Sequence, residues 1–169
     1  MKYCFLTLIA LILGACANAP KKNEGFGFTG KYLCSKLKMK KPGEKEFKEN
    51  FGEFEQSVEV KNVNGLDVLV AAYPKMKDYP ASKMVWIIDN KWNFSRLKFS
   101  KNEKVMKYKA SLNSKGVINW ESKIPAYTNQ NGESIPASVN SGKWWIDPET
   151  GNKKSQANYV KGVVDCKRL

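Results

Sequence analysis

Period-two alternation of apolar and polar residues, cut at short intervals by turn residues, runs from residue 28 to the C-terminus and predicts antiparallel strands. Val63-Asn64-Gly65-Leu66 is the clearest hairpin, because Asn-Gly supplies the two positive φ angles that a type I′ turn needs. On its first strand Phe54, Val58 and Val60 share a face, against Glu55, Ser57, Glu59 and Lys61. The second strand, residues 66–73, is apolar on both faces apart from Asp67 and is expected to be well buried. Residues 84–88 then turn through Asp89-Asn90-Lys91 into 92–99, and residues 100–103 form a further turn. Met106, Tyr108, Ala110 and Leu112 alternate with Lys107, Lys109 and Ser111, and Asn113-Ser114-Lys115-Gly116 reverses the chain into Ile118, Trp120 and Ile124. Residues 125–141 contain prolines and no pattern and are expected to form a long loop. Residues 143–146 and 159–166 close the domain around a turn at Asp147-Pro148-Glu149-Thr150-Gly151. Helical spacing is nearly absent: its one candidate, residues 40–52, is interrupted by Pro42 and Gly43 and ends at Gly52.

Roughly nine short strands, nearly all joined to sequence neighbours, predict an all-β domain, an antiparallel up-and-down meander closed into a β-barrel. A two-sheet β-sandwich is the alternative, since periodicity does not separate the two. In outline the pattern resembles the lipocalin and wider calycin barrels, with Gly30-Lys31-Tyr32 where lipocalins carry Gly-x-Trp. That resemblance implies a barrel and transfers no site residues.

The N-terminus has a different pattern. Lys2 precedes an apolar run over residues 5–13, broken only by Thr7, which is too short to span a bilayer and suits an export signal. Leu13-Gly14-Ala15-Cys16 resembles the lipobox of bacterial lipoproteins, which implies that the Cys16 thiol is diacylated and becomes the first mature residue. An ordinary signal peptide ending at Ala17-Asn18-Ala19 is the alternative. The expected organisation is a signal peptide over 1–15, a lipidated tether over 16–27 and one β-domain over 28–169. The protein is then expected in the cell envelope, leaning to the outer membrane because Ala17 is not the aspartate associated with inner-membrane retention.

Of the four cysteines, Cys4 leaves with the signal and Cys16 is the lipidation candidate, so Cys34 and Cys166 remain in an oxidising compartment and predict one disulfide. It would close a loop of roughly 130 residues, worth up to about 5 kcal/mol by loss of unfolded-chain entropy.

Formal net charge is +13, or +12 once Lys2 is removed, and arginine is represented only by Arg96 and Arg168. Base reading and bidentate phosphate recognition favour arginine, so no nucleic-acid partner is expected. Anionic lipid head groups or acidic glycans fit the charge and the compartment better. Lysines cluster at Lys36, Lys38, Lys40, Lys41, Lys45 and Lys48 and again at Lys98, Lys101, Lys104, Lys107 and Lys109, as a solvated strand face, as edge protection or as a patch for such partners.

There is no histidine, which excludes Ser-His-Asp and Cys-His machinery and His-liganded zinc. No catalytic signature, cofactor motif or metal set replaces it, and no enzyme activity is expected. Aromatic residues are the remaining candidates: Trp86, Tyr108 and Trp120 lie on apolar strand faces, while Trp144 and Trp145 point to opposite sides of one strand. They either pack a core or line a pocket for a lipid-like or other apolar molecule. The expected function is a ligand-binding barrel for such a molecule at the envelope; the alternative is a structural, interaction or inhibitor lipoprotein that acts through its surface with a filled core. Tyr32-x-Cys34 and the closing cysteine resemble the small lipoprotein inhibitors of lysozyme, although a basic target would be repelled.

Overall fold

The computed structural model describes residues 27–40, 42–75, 81–99, 102–128 and 132–169. Residues 1–26, with the export signal, Cys16 and most of the tether, lie outside the described residues, as do Lys41 and Lys101. The described chain is all β. Its strands are β1 (Gly30–Cys34), β2 (Leu37–Met39), β3 (Lys48–Phe51), β4 (Phe54–Val63), β5 (Leu66–Tyr73), β6 (Ser82–Ile87) and β7 (Asn93–Phe99). They continue as β8 (Asn102–Leu112), β9 (Ile118–Ile124), β10 (Tyr127–Thr128), β11 (Ser134–Ile135), β12 (Ser138–Ile146), β13 (Lys153–Ala157) and β14 (Val164–Arg168).

Ten of these form one antiparallel sheet in the order β6-β5-β4-β1-β14-β13-β12-β9-β8-β7. Going round from β1, the neighbours are β4, β5 and β6, then β7, β8, β9, β12, β13, β14 and β1 again. This is the expected up-and-down meander curled into a nearly closed, lipocalin-like barrel. Its seam joins first strand to last, and its gap falls between β6 and β7. Beyond β6, Ile88 bridges Ala110 of β8 directly and Asn90 N–H donates to the Ala110 carbonyl at 2.8 Å, so β6 meets β8 past the start of β7. The large sheet draws all its strands from residues 30–168, so the barrel is self-contained in that span.

The seam carries the expected disulfide. Cys34 and Cys166 face each other across β1 and β14 and are bonded, 132 residues apart in sequence. Beside it Tyr32 pairs with Arg168, whose guanidinium donates to the Thr29 carbonyl at 2.6 Å. The turns form as their residues require. Asn64 and Gly65 take φ of 51° and 81°, the left-handed pair of a type I′ hairpin, and Asn113 Oδ1 accepts from the N–H groups of Lys115 and Val117 at 2.9 and 3.0 Å. One barrel end is capped by the β2–β3 arm, where Met39 bridges Val160 and Lys40 N–H donates to the Tyr159 carbonyl. At the other end Phe28 is fully buried, and the Tyr32 hydroxyl donates to its carbonyl at 2.8 Å.

Four boundaries differ from the expectation, one being the closing strand, which runs over Val164–Arg168 and not 159–166. The helix candidate at 40–52 contains no α-helix among its described residues, and its last part is β3. The expected loop over 125–141 ends early, because β12 begins at Ser138, and it holds the small β10–β11 pair. The strand β13, KKSQA, has no apolar alternation and was not expected at all. Both misses share a cause: the inward positions of β12 before Trp144, and those of β13, are small or polar, and Trp120 of β9 lies across Gly142 there. Ser138, Asn140 and Gly142 face Ile124, Ser122 and Trp120 of β9.

Candidate functional site

The inward side chains settle where four of the five candidate aromatics lie. Trp86 on β6, Tyr108 on β8, Trp120 on β9 and Trp144 on β12 are all buried and meet in one cluster. Trp86 is at its centre, with ring centroids 5.0 Å from Tyr108, 5.5 Å from Trp120 and 6.1 Å from Trp144. Trp120 also lies 6.4 Å from Trp144 and 6.3 Å from Tyr159. These are the tilted and edge-on contacts that aromatic quadrupoles favour, and they fill the middle of the barrel with rings.

Neighbouring strands are cut to fit. Ala110, Trp120 and Gly142 form one inward row across β8, β9 and β12. A Cβ at Gly142 would lie 2.6 Å from Trp120 Cζ2 and 2.8 Å from its Cε2, and would also strike the Gln156 carbonyl oxygen. Glycine in a strand interior is explained here by the indole laid across its backbone.

Several polar groups are enclosed with these rings. Tyr108 accepts the Ile87 N–H at 3.3 Å, and burial pushes its phenol above the ordinary range, as it does for Tyr73 and Tyr159. The indole N–H groups of Trp86 and Trp120 have no hydrogen-bond acceptor among the described residues, and the Gln56 Oε1 has no donor. Lys153 on β13, opposite Cys166, is only 3% exposed, with its ammonium 5.9 Å from the Tyr32 ring centroid and 5.7 Å from that of Trp144. No described carboxylate pairs with it, and burial lowers its pKa from the ordinary 10.5 to about 8. Sequence reading missed Lys153, because a lone lysine in a polar strand looks solvated. Among the described residues no cluster of three or more Cys, Asp or Glu is placed to hold a metal.

Trp145 points the other way, onto the outer face, half-buried with the Lys143 ammonium 5.3 Å from its ring. That face carries the second constellation. Phe94, Lys107, Lys123 and Val139 form one outward row across β7, β8, β9 and β12. With Val105 and Pro125 they line an open groove of about 460 Å³. Phe94, Val105 and Val139 are 69%, 50% and 56% exposed. Trp92 sits between the two cations, 5.3 Å from the Lys107 ammonium and 4.5 Å from that of Lys123. The signal that marks this face in sequence is an apolar residue standing in the polar phase of a strand, at Phe94, Val105 and Val139.

The chain finds no counterpart by comparison: no protein-family model, no curated protein and no solved structure matches it.

Proposed function

We propose that this protein is an exported lipoprotein, anchored in the cell envelope through Cys16, whose β-barrel acts through its outer surface. The observation that carries this reading is the ring cluster: Trp86, Tyr108, Trp120 and Trp144 are buried against one another on the inward side, where a ligand-holding barrel leaves space. The disulfide supports an oxidising compartment, and the lipobox-like run supports the anchor.

A second reading, a barrel that encloses a lipid-like or other apolar molecule, is favoured by one feature. The indole N–H donors of Trp86 and Trp120 have no acceptor among the described residues, and a ligand oxygen admitted by movement of the rings would supply one. Mass spectrometry of small molecules that co-purify with the natively extracted protein separates the two. The surface-acting reading expects none in stoichiometric amount; one apolar molecule per chain that also changes tryptophan fluorescence would replace it with the enclosed-ligand reading. In the same cells Cys16→Ala is expected to leave the protein unacylated and to alter its processing; unchanged processing with full membrane association would overturn the anchor.

A further inference from the structure

We propose that the outer face of β7, β8, β9 and β12 docks on an anionic lipid bilayer, with Phe94, Val105 and Val139 entering the head-group layer and Lys107 and Lys123 meeting its phosphates. This rests on the surface-acting reading and names its partner. Single exposed apolar residues are ordinary on any surface, but here three from different strands converge on one groove, each in a phase that strand alternation assigns to polar residues.

The charge around the groove suits the same partner. On β8, β9 and β12 the outward phase holds Lys107, Lys109, Lys123 and Lys143 against Glu121, which lies 3.8 Å from Lys123. A cationic face on a chain of +13 is complementary to an anionic surface and repels another copy of itself. Lysine stems lying along apolar side chains with their ammonium groups reaching outward, and a tryptophan ring at the same level, are the arrangement expected at the head-group boundary. Trp92 supplies such a ring between Lys107 and Lys123, 5.3 and 4.5 Å from their ammonium groups.

The tether permits it. The eleven residues 16–26 span up to about 38 Å when extended. β8, the longest strand with eleven residues, spans about 37 Å. A barrel anchored through residue 27 at one end can therefore lie on its side against the membrane that holds it.

The test uses the chain from residue 17 onward, which keeps the self-contained barrel, in co-sedimentation with vesicles of equal parts phosphatidylglycerol and phosphatidylcholine and with vesicles of phosphatidylcholine alone. The native sequence is expected to bind the anionic vesicles at low salt. Phe94→Ser with Val139→Ser, both at exposed positions, should weaken binding by about tenfold or more. Lys107→Gln with Lys123→Gln should weaken it about 30-fold and flatten its salt dependence. Val63→Ser with Leu66→Ser, an exposed apolar pair on the hairpin turn, should leave it unchanged. The proposal is overturned by no binding to anionic vesicles, by equal losses in the hairpin pair, or by a dimer that Phe94→Ser dissolves without any effect on vesicles. A stoichiometric interior ligand would defeat the surface-acting reading itself, whereas indifference to vesicles without such a ligand removes only this face assignment.

Discussion

Replacing Lys153 by methionine should make the protein more stable at neutral pH and leave it unchanged in alkali. The lysine is enclosed between Tyr32 and Trp144 without a carboxylate among the described residues, and its pKa falls from 10.5 to about 8. The folded chain therefore releases this proton near pH 8, while the unfolded chain keeps it to about 10.5. Between those values the unfolded state binds more protons, so the native state gains stability as pH rises and carries the whole penalty below pH 8. The fall from 10.5 to about 8, with a tenfold change in proton binding costing 1.36 kcal/mol, makes that penalty about 3 kcal/mol at pH 7. It falls below about 1 kcal/mol by pH 10, where the folded state is neutral and the unfolded state has begun to lose its proton. The lowered pKa reflects burial alone, so attraction of the ammonium to the two rings offsets part of this penalty.

Methionine keeps the length and flexibility of the side chain without the charge, so the volume of the site is conserved. Urea unfolding of both proteins at a series of pH values between 6 and 10 gives the difference directly, and titration of the buried tyrosines cancels because both chains contain them. The expected difference is about 2 to 3 kcal/mol in favour of Lys153→Met at pH 7, shrinking steadily above pH 8. A difference that does not change with pH, or a methionine variant less stable at pH 7, would refute the reasoning. In either case the ammonium must find a partner that offsets its desolvation.

Two other consequences concern the barrel wall. Gly142→Ala forces a methyl group into the Trp120 ring and the Gln156 carbonyl, and should lower stability by about 1 to 3 kcal/mol, read as a lower thermal midpoint by tryptophan fluorescence; an unchanged midpoint would mean the indole is not held there. Removing the seam disulfide as Cys34→Ala with Cys166→Ala should cost about 2 to 5 kcal/mol in urea unfolding while the circular dichroism stays that of a β protein, and no loss would contradict its closing a long loop of the unfolded chain.

Local chemistry made part of this fold legible. The Asn64-Gly65 turn, the alternation along β4 and the disulfide between the first and last strands each rest on residues whose conformational or covalent demands are decided within a few positions or by elimination. The β12–β13 region was not legible, because there the interior is filled by side chains that belong to other strands. Gly142 has no reason to be a glycine until Trp120 is laid across it, and Lys153 reads as solvent-exposed until β14 and β1 place Cys166 and Tyr32 around it. Of the candidate aromatics, the opposite directions of Trp144 and Trp145 followed from strand alternation alone. The convergence of Trp86, Tyr108, Trp120 and Trp144 on one point required the registers of separate strands. The outer groove joins residues from β7, β8, β9 and β12, so no single hairpin contains it.

Small inward residues distinguish a barrel that holds a ligand from one that packs itself. If Ala110 and Gly142 surrounded empty volume, they would be the lining of a pocket. Instead both flank Trp120 in one row, and the absence of a Cβ at Gly142 is matched by an indole ring lying where that Cβ would be. Their small size is thus complementary to a large neighbour, which is how interiors reach crystalline packing density. Opening such an interior to a guest would expose or displace buried rings, each worth several kcal/mol of packing when lost. Strand alternation leaves only the outward phase and the loops free of that constraint. The outward phase carries Lys107 and Lys109 on β8 and Lys123 on β9, and Phe94, Val105 and Val139 stand in the same phase at one place. A solvated surface gains nothing from apolar side chains there, so the face over β7, β8, β9 and β12 is where recognition by this barrel should be sought.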